Sequence, residues 1–156
     1  MANAKGTYAL VLALDRETTI AVGRLGVFTF PAGCYVYAGS ALGGLSPRLR
    51  RHFAGGKKVH WHVDYLREKA RSVEAWYHVS DRRLECAWFE AVSHMDGARV
   101  PVDGFGSSGC RCRAHLVYFA GMPSFEEFRS RVGEGIALGR VTTVEGILRL
   151  GARASS

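Results

Sequence analysis

The chain has 156 residues, 47% apolar and 22% charged. That balance excludes a disordered chain and suits one domain burying roughly two-thirds of its extended-chain surface. The net charge of +7 suits a polyanionic partner or a merely basic soluble protein, and no apolar run reaches the ~18 residues that a membrane span needs.

The start, Met1-Ala2-Asn3-Ala4-Lys5, lacks the apolar core and cleavage site of a secretory signal, so a cytoplasmic protein with reduced cysteines is expected. Thr7 to Leu14 is apolar nearly throughout and reads as a buried strand. A polar turn, Asp15 to Thr18, leads to a second strand, Thr19 to Val22. Gly23 and Gly26 mark a bend, Val27 to Phe30 alternates, and Pro31-Ala32-Gly33 is a turn. Cys34 to Ala38 makes a further strand ending at Gly39, so the first forty residues read as a small antiparallel meander.

A helix follows, with Ser46 as N-cap, Pro47 in its first position and an end near Gly55-Gly56. Its apolar residues Leu45, Leu49 and Phe53 form one narrow stripe, which places Arg48, Arg50, Arg51 and His52 on its flanks and outer face. Trp61 to Ala70 reads as a second amphipathic helix, with Val63, Leu66 and Ala70 inward. Val73 to Val79 alternates as a strand, and Asp81 caps a third helix running to about Met95. Gly97 to Arg113 is a long Gly- and Ser-rich loop of the kind that carries function. His115 to Ala120 is a strand, and Ser124 caps a helix opening with Glu126 and Glu127. Val144 to Leu150 reads as a short closing helix and Ala152 to Ser156 as a frayed tail. No linker or repeat interrupts 1–156, so a single domain is expected, with a core over about 6–120 and a helical extension over 121–150.

Several residues have types suited to phosphate chemistry. Tyr35 and Tyr37 share a strand face, and Tyr8 meets Tyr37 at one end of the sheet if their strands are neighbours. The plain alternative is that these tyrosines only pack. Arg48 and His52, four apart, lie on one helical face. A guanidinium there holds two phosphate oxygens at once, and an imidazole moves a proton near neutral pH; the plain alternative is a solvated basic helix face. Glu85 lies on the flank of its helix's apolar stripe, where a carboxylate has to be paired or bound to a cation. One carboxylate with waters and substrate oxygens is a magnesium style of site; an ion pair with Arg48 is the alternative. His60 and His62 flank Trp61 beyond Lys57-Lys58, as helpers or as surface residues. Cys110-x-Cys112-x-x-His115 is not a usual zinc spacing and needs a fourth ligand from Cys86 or His94. Two semi-buried thiols are therefore favoured over a structural zinc.

Gly6-Thr7-Tyr8 and Tyr37-Ala38-Gly39, followed by Ser40, Arg48, His52 and a later Glu85, make the chain resemble the GIY-YIG endonuclease superfamily over about residues 6 to 95. Residues 6–119, with Lys57-Lys58-x-His60-Trp61-His62-x-Asp64-Tyr65-Leu66, Glu85-Cys86-Ala87 and Gly104-Phe105-Gly106-Ser107-Ser108, also resemble an uncharacterised prokaryotic branch. Members of that branch stand alone or are joined to endonuclease III-like glycosylases. The resemblance implies an α+β fold, a central antiparallel sheet of at least three strands flanked by helices. It also implies a metal-dependent endonuclease hydrolysing DNA phosphodiesters, in repair or processing.

In that role Tyr8, with Tyr37, would orient or deprotonate the attacking water, its phenol acidified by nearby cations. Arg48 would clamp the phosphate, and His52 with His60 or His62 would assist proton transfer. Glu85 would hold Mg2+ or Mn2+. Ser40, Arg50, Arg51, Lys57, Lys58 and His62 would contact nucleic acid, with RNA not distinguished from DNA. The alternative is a non-catalytic nucleic-acid-binding module on the same scaffold. The two signature halves lie much farther apart than is usual in the superfamily, which implies an inserted hairpin. Threonine and alanine replace the signature isoleucines, and only Ser107, Ser108 and Gly109 lie where many members have an asparagine. Oligomeric state is not legible.

Overall fold

The computed structural model describes residues 4–54, 58–133 and 135–142. Five strands form one antiparallel sheet in the order β6-β4-β1-β5-β7. They are β1 (Gly6–Leu14), β4 (Gly33–Ala41), β5 (Arg71–Val79), β6 (Leu116–Phe119) and β7 (Gly139–Val141). Four helices complete the α+β architecture: α1 (Leu45–Ala54), α2 (His62–Arg67), α3 (Glu85–Ser93) and α4 (Phe125–Val132).

β1 reads apolar throughout because both of its faces are covered. Tyr8, Leu10, Leu12 and Leu14 join a core with α1 and α2, while Ala9 and Val11 join a core with α3 and α4. β4 divides in the same way, with Tyr35 and Tyr37 on the first face and Val36 and Ala38 on the second. In the second core the Trp88 ring meets Phe128 edge-on at 5.0 Å.

The meander expected for the first forty residues is not formed. β2 (Thr18–Val22) and β3 (Gly26–Phe30) pair only with each other, as a separate two-stranded sheet. β1 instead pairs with β4 on one side and β5 on the other, leaving no edge for β2. The hairpin lies between β1 and β4 in the chain without joining their sheet.

Three boundaries also move. α1 begins at Leu45, ahead of the expected Ser46 cap, and Arg48 N–H bonds to Gly44 O. α3 begins at Glu85, with no side-chain cap from Asp81. The preceding stretch is tied to β1's end: Ser80 N–H donates to Lys5 O, and Leu84 N–H to Thr7 Oγ1. The C-terminal extension is not all helix, because after α4 the short β7 pairs with β5 as an edge strand. There Arg140 grips Glu74 through two hydrogen bonds, of 2.8 and 3.1 Å. The Gly55-Gly56 helix end, the closing helix expected over 144–150 and the tail over 152–156 lie outside the described residues. Among those described, no helix is long and apolar enough to cross a membrane.

Candidate active site

β1 and β4 run in a register that places Tyr8 opposite Gly39 and Leu10 opposite Tyr37. The Tyr8 and Tyr37 rings come within 6.3 Å, so the expected convergence at one end of the sheet is met. Gly39 is what allows it, since a Cβ there would lie 2.6 Å from the Tyr8 hydroxyl. α1 then lays Arg48 and His52 over the same spot. The Tyr8 hydroxyl lies 2.8 Å from His52 Nε2 and accepts from Arg48 Nη1 at 3.3 Å.

Arg48 is braced on several sides. Its Nη1 also donates to Ser40 O at 3.2 Å, and its guanidinium carbon sits 4.3 Å from the Trp61 ring centroid. Among the described residues it makes no ion pair with a carboxylate, so the expected alternative of an Arg48–Glu85 pair is not formed. Glu85 bonds instead to the Ser40 hydroxyl and, at 3.2 Å, to Arg83, whose own side chain is largely exposed. Burial raises the Glu85 pKa, but the Ser40 hydroxyl, a backbone N–H and Arg83 outweigh it, so the carboxyl lies below its ordinary value and is ionised.

Arg48 and Glu85 line one groove of about 350 Å³, together with Tyr37, Gly39, Ser40, Trp61 and Arg83. Gly106, Gly109, Cys110 and His115 of the long loop and its exit form the facing wall. An ionised carboxylate open to such a groove, with lone pairs beyond those used by Ser40 and Arg83, suits a hard divalent ion completed by waters and substrate oxygens.

Two expectations about proton transfer need correction. Tyr8 is only 1% exposed, and burial raises its pKa above the ordinary tyrosine value, overcoming the opposing charge of Arg48. The phenol is therefore protonated and sealed behind Gly39 instead of acidified. His52 was placed at α1's flank, yet it is fully buried. Burial lowers its pKa to about 3, and its Nδ1 has no hydrogen-bond partner among the described residues. It is a neutral imidazole facing Tyr8.

The remaining candidates divide. Arg51 is committed to Asp64 at 2.8 Å, and the same carboxylate accepts from the backbone N–H groups of His60 and Trp61. Asp64 thereby knots the His60–His62 segment and sets Trp61 under Arg48. His60 is exposed and packs edge-on to Trp61 at 4.6 Å, one ring away from the groove. His62 Nδ1 accepts from Gly106 N–H at 2.8 Å, pinning the long loop. Arg50, exposed, bonds to Ser46 Oγ, and Lys58 is exposed; Lys57 lies outside the described residues. Trp61 and Arg83 are missed as site residues: an aromatic between two histidines and the second of two adjacent arginines before a helix carry no sequence signal that separates them from surface residues.

A second cluster adjoins the groove. Cys86 on α3, Cys110 and Cys112 in the loop, and His115 before β6 offer ligand atoms that all lie within 4.8 Å of one another. His94, the other fourth ligand considered, is not in this group.

A family model described as "Domain of unknown function DUF123" matches residues 7–137, and the chain belongs to that family. No curated protein and no solved structure matches the chain.

Proposed function

We propose that this DUF123 chain is a metal-dependent endonuclease that hydrolyses nucleic-acid phosphodiesters, DNA foremost, in the groove between Arg48 and Glu85. The observation that carries this reading is the pairing of charges: a braced arginine with no carboxylate partner among the described residues faces the same groove as an ionised glutamate.

Arg48 is held by Trp61, Tyr8 and the Ser40 carbonyl, so its free N–H groups are pre-aimed at a phosphate and need little reorganisation. A guanidinium so placed neutralises the charge that grows on the non-bridging oxygens during in-line attack. Glu85 would hold Mg2+ or Mn2+, and such an ion, when bound, supplies charge stabilisation at the leaving oxygen. Ser40 orients the Glu85 carboxylate. Tyr8 acts as a positioning residue, fixing Arg48 from behind, and its hydroxyl and the neutral His52 ring stand at hydrogen-bond distance. The attacking water would be oriented by the phosphate and by groups at the groove surface. Exposed Arg50 and Lys58 extend the positive surface on which a strand's backbone would rest.

One observation favours a second reading, a binding module without catalysis: the tyrosine cast as base is buried and protonated. Incubation with nicked, branched, damaged and single-stranded substrates across Mg2+ and Mn2+ concentrations separates the two. The nuclease reading expects metal-dependent cleavage that disappears in Arg48→Ala and Glu85→Ala proteins with unchanged circular dichroism. Salt-sensitive binding without cleavage under any divalent ion would replace it with the binding module.

A further inference from the structure

Three thiols and one imidazole converge beside the groove from three separate parts of the chain. Cys86 lies in the first turn of α3, Cys110 and Cys112 lie in the long loop, and His115 precedes β6. His115 Nε2 sits 3.3 Å from Cys110 Sγ and 3.6 Å from Cys86 Sγ. All four donor atoms lie within 4.8 Å of one another. In a tetrahedral zinc site with metal–ligand bonds of about 2.0–2.3 Å, neighbouring donors stand about 3.3–3.8 Å apart, a range that the two His115–sulfur separations already meet.

Among the described residues, neither a disulfide nor the apolar cores account for all four members of the group. The cysteines are free thiols, and three of them cannot be accounted for by one disulfide. An apolar core accounts for one of the three only: Cys112 packs against the second core, whereas Cys110 is exposed and Cys86 is half-buried outside it. The backbone is built to hold the group: Cys110 N–H donates to Ser107 O, His115 N–H to Phe105 O, and Ala38 N–H to His115 O. His115 is therefore locked to the loop on one side and to β4 on the other, its Nε2 turned to the sulfurs.

We propose that Cys86, Cys110, Cys112 and His115 form a Cys3His zinc site, distinct from the carboxylate site at Glu85. All four positions are taken by protein donors, which is the closed, structural type of zinc centre and leaves no open coordination for substrate. Three thiolates around a dication leave one net negative charge, and Arg111 and Arg113 alternate with the loop cysteines. Binding would staple the loop to α3 and to the sheet. Where the groove reading holds, the same staple fixes Gly106, Gly109 and Cys110 opposite the helix turn that carries Glu85. The zinc site itself does not depend on that reading.

Protein purified under reducing conditions without added metal is measured for zinc, and zinc-free protein is titrated with Co2+. One zinc per chain is expected, lost in Cys86→Ser and Cys112→Ser and kept in Cys34→Ser, whose thiol lies on β4 outside the cluster. The unsubstituted zinc-free chain should give the intense thiolate-to-cobalt absorption of a tetrahedral site, abolished by added Zn2+, whether or not the variants fold. Substoichiometric zinc together with no tetrahedral cobalt spectrum would overturn the proposal. Full zinc retention by a folded Cys112→Ser protein would do so as well. Nuclease assays play no part in either readout, so loss of the catalytic reading leaves this one standing and the reverse.

Discussion

Arg48 is braced without being neutralised, and that sets what each neighbour can be expected to do. Lysine at 48 keeps the charge but gives up the planar fork that grips Ser40 O and Tyr8 while facing a phosphate. Arg48→Lys should cut single-turnover cleavage by on the order of 10²-fold with the melting temperature unchanged; near-normal cleavage would mean that only the charge matters. At Gly39 the limit is steric. Gly39→Ala drives a methyl group to 2.6 Å from the Tyr8 hydroxyl and should destabilise the fold by about 1–3 kcal/mol in urea titrations.

His52 gives a pH dependence whose sign follows from its burial. Its pKa is about 3 in the folded chain against 6.5 ordinarily. Below about pH 6.5 the unfolded chain binds a proton that the folded chain refuses, so stability falls as the pH drops toward 3, by up to about 1.4 kcal/mol per pH unit. His62, whose pKa burial also lowers, acts in the same direction. Urea midpoints of wild type and His52→Gln at pH 7.5 and 5.0 isolate the contribution: the variant should lose less on acidification. Equal losses would show that the imidazole is not buried neutral. The burial was legible in retrospect, because His52 follows Leu49 by three and shares its face. A histidine is normally read as polar, and the stripe was continued to Phe53 instead.

Among the elements, the segment from His60 into α2 depends on one carboxylate. Asp64 is 3% exposed, and though burial raises its pKa, two backbone N–H groups and Arg51 hold it below the usual value. Asp64→Ala leaves those donors and Arg51 without their partner, a loss of about 2–4 kcal/mol. It should also raise the KM for nucleic acid, as Trp61 no longer backs Arg48; an unchanged KM in the folded variant would detach Trp61 from the site. Sequence made the long strands plain, because β1 and β4 carry apolar residues on both faces. It left α3's start obscure: Asp81 looks like a cap, but contacts to Thr7 and to Lys5, just ahead of β1, keep the chain out of the helix up to Leu84. β7, three residues long, is too short for any alternation to show and is held by the Arg140–Glu74 pair across the sheet edge. The cysteine group is legible only in part: in sequence Cys86 and His94 both qualify as partners of the loop residues, and only α3's position brings Cys86 near.

At the scale of the molecule, a charge of +7 predicts binding dominated by counterion release. The slope of log K against log salt for a duplex should be steep and negative, and Arg48→Ala should reduce its magnitude by about one. The central claim is narrower: Arg48 and Glu85 act on one phosphate. Single-turnover cleavage rates in Mg2+ for wild type, Arg48→Ala, Glu85→Ala and the double variant test it most directly. If the two residues serve one reaction centre, each single substitution removes most of the rate and the double variant is little worse than either. Wild-type protein that cleaves nothing, or a cleavage rate that neither substitution lowers, would contradict the account.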